Sequence, residues 1–131
     1  MKLADQNILF IARAPMHGGT ENVVVQLCEL LKPLVNNIVV CAGSGFDREV
    51  LKREGIKFYE IPDLENKSIS NVVHISKTIS NIVKKEKITV IHTHHRMAAF
   101  YVTLLNLYKK CCFINTSHNT FYNKKMLTRY S

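Results

Sequence analysis

Short apolar runs alternate along this chain with stretches of helical periodicity, and that alternation restricts the fold more than any other feature. Residues 7–12 (NILFIA) are a continuous apolar run of strand length. From Thr20 onward, Val23, Val24, Leu27, Leu30, Leu31 and Leu34 recur at helical spacing over residues 20–34. Thr20 is placed to cap that helix, with Glu21 beside its positive end. Residues 37–42 (NIVVCA) read as a second strand ended by Gly43-Ser44-Gly45, and 47–54 as a short charged helix stopped by Gly55. Residues 56–61 (IKFYEI) read as a third strand, broken by Pro62. After a polar loop at 63–68, Val72, Ile75, Ile79, Ile82 and Val83 form the apolar stripe of an amphipathic helix of about 18 residues. Residues 88–93 (ITVIHT) are the fourth strand. Residues 97–108 are a helix apolar on most sides, expected to be largely buried. Residues 111–117 are the fifth strand, and 123–130 begin a further helix.

Strands alternating with helices predict a parallel sheet covered on both faces, a doubly wound Rossmann-like α/β fold. Right-handed crossovers leave few topologies. The commonest has strand order 3-2-1-4-5, with residues 7–12 central and a switch point between the first and fourth strands. Ligands bind such sheets outside the strand carboxyl ends, at the switch.

The 131 residues fit one domain, and 47% apolar with 21% charged residues is a globular balance. No apolar run reaches the roughly 18 residues that span a bilayer. The start, Met1-Lys2-Leu3-Ala4-Asp5-Gln6-Asn7, is too polar for a signal peptide, which predicts a cytoplasmic protein. Cys28, Cys41, Cys111 and Cys112 form no C-x-x-C pair and read as reduced thiols. Charge is distributed unevenly. Residues 1–65 carry seven Lys/Arg against nine Asp/Glu, a net of −2; residues 66–131 carry eleven against Glu86 alone, a net of +10. That polarity fits contact with something anionic, whether nucleic acid, acidic lipid or a phosphate-bearing substrate, and equally a solvated basic face; composition does not choose among them.

Three segments sit where the carboxyl ends should be. After the first strand, Gly18 and Gly19 precede Thr20 at the start of a helix, where free N–H groups and a partial positive charge suit a phosphate; a tight strand-to-helix turn explains the same spacing equally well. After the fourth strand, His92-Thr93-His94-His95-Arg96 places His92 and His94 on one side and His95 on the other. No carboxylate or Cys adjoins these histidines and H-E-x-x-H is absent, so zinc is disfavoured and donors to hydroxyls or phosphates are expected. After the fifth strand comes Thr116-Ser117-His118-Asn119. His118 reads either as a functional group at a ligand-binding edge or as a cap on a nearby helix.

Other chemistries lack their signatures. Neither G-x-G-x-x-G nor G-x-x-x-x-G-K-[ST] is present, so neither a dinucleotide cofactor nor a P-loop is expected. No nucleophile elbow appears, and no aromatic-rich basic motif points to nucleic acid.

The segments Ile8-Leu9-Phe10-Ile11 with Gly18-Gly19-Thr20-Glu21, Val90-Ile91-His92-Thr93-His94-His95, and Asn115-Thr116-Ser117-His118 together resemble the N-terminal domain of retaining glycosyltransferases of family 4, which have the GT-B fold. The resemblance covers essentially the whole chain. It implies a domain at residues 1–131 that receives the acceptor, lacking its last elements and the C-terminal domain that holds the nucleotide sugar. It implies sugar transfer to a glycan or lipid-linked acceptor, in cell-surface polysaccharide synthesis, without cofactor or obligatory metal. It places His118 near the donor sugar as the catalytic candidate. Gly18, Gly19 and Thr20 would meet the donor diphosphate or the acceptor, and His94, His95 and Arg96 would line the acceptor side. The resemblance places the family's acidic E-x7-E motif in that C-terminal domain, so the chain alone is expected to be inactive, as a fragment or with a partner chain supplying the donor half; the one E-x7-E spacing here, Glu21 to Glu29, lies in the first predicted helix instead. The alternatives are a non-catalytic subunit of a split glycosyltransferase, docking a partner and the inner face of the membrane, and a phosphate-ligand-binding Rossmann-like module.

Overall fold

The computed structural model describes residues 2–13, 20–46 and 48–116, and of residues 20–22 the backbone alone. The elements follow in the order β1 (Asn7–Ile11), α1 (Thr20–Leu31), β2 (Asn37–Ala42), α2 (Glu49–Arg53), β3 (Lys57–Glu60), α3 (Ile69–Lys85), β4 (Val90–Thr93), α4 (Arg96–Leu104) and β5 (Cys112–Asn115). The five strands form one parallel sheet in the order β3-β2-β1-β4-β5. The expected fold class and strand order are therefore those observed, with β1 central: Ile8 pairs with Ile38 on one side and Val90 on the other.

An apolar strand with both edges paired must have both faces covered. Leu9 and Ile11 point into one core with Ile75, Ile79 and Ile82 of α3 and Ala98, Tyr101 and Val102 of α4. Ile8, Phe10 and Ala12 point into the other, with Val24 and Cys28 of α1 and Leu51 of α2. Burial pushes the Cys28 and Cys41 thiols up to about 12, so both act as small hydrophobes.

Two helices end earlier than their apolar patterns suggest. α1 stops at Leu31, leaving Leu34 outside it. Pro33 has no N–H to continue the ladder and disfavours helical backbone at Lys32. The helix expected at 97–108 ends at Leu104; Asn106 turns left-handed at φ 56°, and a short 3-10 turn at Leu107–Lys109 returns Leu107 to the core. Its expected burial is also corrected. Ala98, Tyr101 and Val102 are buried, but Phe100, Leu104 and Tyr108 are about half exposed. A helix lying on a sheet buries one stripe; Phe100 and Leu104, four positions apart, lie on the opposite side, and Tyr108 is exposed from the 3-10 turn beyond it.

The loop into α3 is tightly fastened. Ser68 Oγ caps the helix by accepting from the Asn71 N–H, and Asn71 Nδ2 donates to the carbonyls of Asp63 at 3.0 Å and Asn66 at 2.8 Å. At its far end α3 delivers Glu86 to the amino edge of the sheet. That buried carboxylate accepts from Tyr59 Oη at 2.7 Å, Lys57 Nζ at 3.0 Å and Asn37 Nδ2 at 3.4 Å. These hydrogen bonds, that of Tyr59 foremost, hold the Glu86 carboxyl below its usual range, and the same bond pushes the Tyr59 phenol up to about 12.

Glu86→Ala strands the Tyr59 hydroxyl and is expected to cost about 1–3 kcal/mol. Because the folded-state pKa of Glu86 is depressed, its contribution is complete above the ordinary glutamate value of 4.5 and is lost as pH falls through the lower folded value. Melting curves of wild type and Glu86→Ala should therefore differ by several degrees at pH 7, and the gap should narrow as pH falls below 4.5. A gap that persists at low pH would mean that the carboxylate is not the source of the stability.

Candidate functional site

The carboxyl ends of β1, β4 and β5 are joined by direct contacts. The His94 N–H donates to the Ile11 carbonyl at 2.9 Å, and the Thr116 N–H to that of Thr93 at 2.9 Å. Thr93 Oγ1 donates to Asn115 Oδ1 at 2.6 Å, and His92 Nε2 lies 2.7 Å from Thr116 Oγ1. The carboxyl ends of β4 and β5 thus lie side by side, joined through Thr93, Asn115 and Thr116. Gly18, Gly19 and His118 lie outside the described residues, and of Thr20 only the backbone is described, as the first residue of α1.

His94, His95 and Arg96 take three different directions. His94 is buried on the α1 side of the sheet, its ring 4.2 Å from that of His92 and 5.9 Å from that of Phe10, centroid to centroid. His92 and His94 thus share a face, as strand alternation requires. His95 turns the other way and is the N-cap of α4. Its Nδ1 accepts from the Met97 N–H at 3.2 Å, while Nε2 lies 3.0 Å from Glu65 Oε1. A nitrogen that accepts carries no proton, so the proton sits on Nε2 and is donated to Glu65. Burial outweighs the attraction of Glu65 and, with Arg13 and Arg96 nearby, holds the imidazole below its ordinary value. Arg96 is exposed in the first turn of α4.

A second group of polar side chains lies on the other side of β1. Arg13, two residues beyond the strand, grips Asp63 with Nε–Oδ1 at 3.0 Å and Nη2–Oδ2 at 3.4 Å. Asp63 Oδ1 also accepts from the Glu65 N–H at 3.0 Å. The Arg13 guanidinium is the main reason the Asp63 carboxyl stays below its usual range. Asp63, Glu65 and His95 in this way connect the ends of β1, β3 and β4. Beside them opens a cleft of about 460 Å³ walled by Arg13, Ser44, Glu60, Pro62, Asp63 and His74. Sequence reasoning missed this cleft. Arg13 and Asp63 are visible as charged residues just past strands, but their pairing spans 50 positions and nothing local announces it. His74 sits on the polar side of an amphipathic helix, where a solvated residue looks the same. Among the described residues, no group of three His, Cys, Asp or Glu side chains is placed to hold a metal ion.

The model of Glycosyltransferase Family 4 matches residues 17–131. No curated protein matches the chain. Among solved structures, a glycosyltransferase from Rickettsia africae ESF-5 superposes with a TM-score of 0.73 at 21% identity, over 92% of this chain and 33% of that one. The lipopolysaccharide outer core galactosyltransferase WaaB superposes at 0.63 with 18% identity, over 86% of this chain and 32% of its own. MurG of Acinetobacter baumannii gives 0.63 at 13% identity, over 87% and 34%. At these identities the likeness is one of fold. The chain spans about a third of the length of each of these structures.

His95→Ala removes the α4 cap and is expected to cost about 0.5–2 kcal/mol, with His95→Asn restoring much of the loss. The ring should titrate below the ordinary 6.5 by NMR. Because the folded-state pKa is depressed, stability falls as pH drops below 6.5, where the unfolded chain takes up the proton first. A midpoint above 6.5 would contradict the neutral, Nε2-protonated cap.

Proposed function

Since the chain belongs to glycosyltransferase family 4, we propose that it is the N-terminal, acceptor-side part of an enzyme that moves a sugar from a nucleotide-sugar donor to a glycan or lipid-linked acceptor in cell-surface polysaccharide synthesis. The family match over residues 17–131 carries this reading. The adjacency of the carboxyl ends of β1, β4 and β5, through His94 to Ile11 and Thr116 to Thr93, supports it. Residues 1–131 act as a Rossmann-like acceptor domain, and the donor domain comes from further residues or from a partner chain.

In this role the backbone N–H groups at Gly18 and Gly19, with the positive end of α1 at Thr20, meet a phosphate of the donor or acceptor. His118 stands near the transferred sugar and directs a hydrogen bond at it. Arg96 presents its guanidinium to the acceptor from the first turn of α4, whereas His95 is a positioning residue that fixes that turn. His94 supports the same edge from within. No cofactor is involved. Holding donor and acceptor in reacting geometry supplies most of the acceleration, which requires both halves of the cleft.

The protein acts in the cytoplasm, at the inner face of the membrane. The +10 net charge of residues 66–131 supports this, each basic residue near an anionic leaflet contributing about 1 kcal/mol. No helix among the described residues is long and apolar enough to cross a membrane.

Purified 131-residue chain should transfer no labelled sugar from a panel of nucleotide sugars to membrane lipid extracts. Supplying the donor domain should restore transfer, and His118→Ala should then lower it roughly 10²-fold. Transfer by the isolated chain, or full activity of His118→Ala, would sink the assignment. Separately, the chain should co-sediment with phosphatidylglycerol-containing vesicles at low salt and be released at 0.5 M salt; binding indifferent to salt would exclude an electrostatic dock.

A further inference from the structure

We propose that Glu65 and His95 form a proton-operated latch between the loop after β3 and the first turn of α4, closed while the His95 imidazole is neutral and released when it takes up a proton. The latch is a property of the fold and holds whatever reaction this edge serves. β3 and β4 are separated in the sheet by β2 and β1, yet His95 Nε2 lies 3.0 Å from Glu65 Oε1. That contact carries the loop across the ends of β2 and β1. Arg13, beyond the end of β1, fastens the same loop through Asp63, with Nε–Oδ1 at 3.0 Å. Asn71 ties it to α3 through the carbonyls of Asp63 and Asn66.

The neutral ring serves both sides at once. Its Nε2–H donates to Glu65, and the Nδ1 lone pair accepts from the Met97 N–H at 3.2 Å. The Ala99 N–H closes the same turn on the His95 carbonyl at 3.1 Å. Glu65 is therefore a positioning residue: by accepting from Nε2 it keeps the proton off Nδ1, and only that tautomer can cap α4. A second proton has only Nδ1 to go to. Two N–H donors then face each other across 3.2 Å, and the cap is lost.

The surroundings decide which of the two contacts the charged ring keeps. Among the described residues, the groups that face it are the carboxylates of Glu65 and Asp63 from the loop, the guanidinium of Arg13 from the end of β1 and that of Arg96 from α4; His94 turns to the opposite face of the sheet. Asp63 is already taken by Arg13. An imidazolium here is repelled by the positive end of α4 and by both guanidiniums, and is attracted by Glu65. It stays with Glu65 and gives up α4, so the first turn loosens and Arg96, its exposed cation, goes with it. Burial, foremost, and the two guanidiniums hold the ring neutral until the pH is below its ordinary 6.5.

The test is an NMR titration of the full 131-residue chain from pH 7.5 to 5. The Met97 amide proton should move upfield with the midpoint of the His95 ring. Its protection against hydrogen exchange, corrected for the intrinsic rate, should fall roughly tenfold, the worth of a lost N-cap. Amides within α3 should keep theirs. His95→Asn, which caps without titrating, should abolish the transition. Glu65→Gln should move it to lower pH and Arg96→Gln to higher pH, opposite shifts that loss of packing alone would not produce. A His95 ring still neutral at pH 5, a ring that titrates while Met97 stays protected, a Met97 transition that survives in His95→Asn, or variants that shift it in the same direction would each overturn the latch. The wild-type titration decides the first two without any variant.

Discussion

The enclosure of β1 is the constraint on which everything else rests. Leu9, Phe10 and Ile11 have no exposed surface, and alternate side chains of this one strand reach into two separate cores. Each large side chain so buried contributes roughly 1.5–3 kcal/mol. A strand sealed on both faces and both edges can lead only to the ends of the sheet, and Ile11, Ala12 and Arg13 emerge where β2, β4 and the loop after β3 also end. Ala12 donates to the Cys41 carbonyl and His94 to that of Ile11, so the three segments are fixed against one another before any side chain is considered. The ligand-binding edge follows from the way the centre of the sheet is packed.

How much of this could be read from the sequence depended on whether its cause was local. Strand order followed from uninterrupted apolar runs and the handedness of crossovers, both local properties, and it matches the structure. The shared face of His92 and His94 followed from strand alternation. The early end of α1 was legible in Pro33, although the apolar stripe through Leu34 argued for a longer helix. The left-handed turn at Asn106 was not legible, since Asn only tolerates that backbone and the surrounding residues continue a helical pattern. The cap formed by His95 was hidden for a different reason. Histidine is not a habitual N-cap, and its second nitrogen needed Glu65, 30 residues away, to fix the tautomer. The Arg13–Asp63 pair and the cleft beside it exist only once β3 lies two strands away from β1.

The two ends of the sheet are built on contrasting plans. At the amino edge, Glu86 gathers Asn37, Lys57 and Tyr59 around one buried carboxylate and joins α3 to β2 and β3. At the carboxyl edge the charged groups are exposed, paired across loops and set around open volume. Loss of a carboxylate at the first end loosens the fold. At the second it mainly alters what the surface can bind, because water can replace a missing partner there.

The burial of Glu86 also shapes how copies of the chain meet in solution. It is the only acidic residue among residues 66–131, and it is turned inward, so it does little to offset the lysines and arginines of that half on the outside. The same half displays the half-exposed Phe100, Leu104 and Tyr108. Mutual repulsion keeps these apolar faces apart while the solvent is dilute. Salt shortens the reach of that repulsion to about 10 Å at 0.1 M and strengthens apolar association when its anion is strongly hydrated, as sulfate is. Colloidal stability is thus highest in low-salt buffer, and salting-out should begin at this helix.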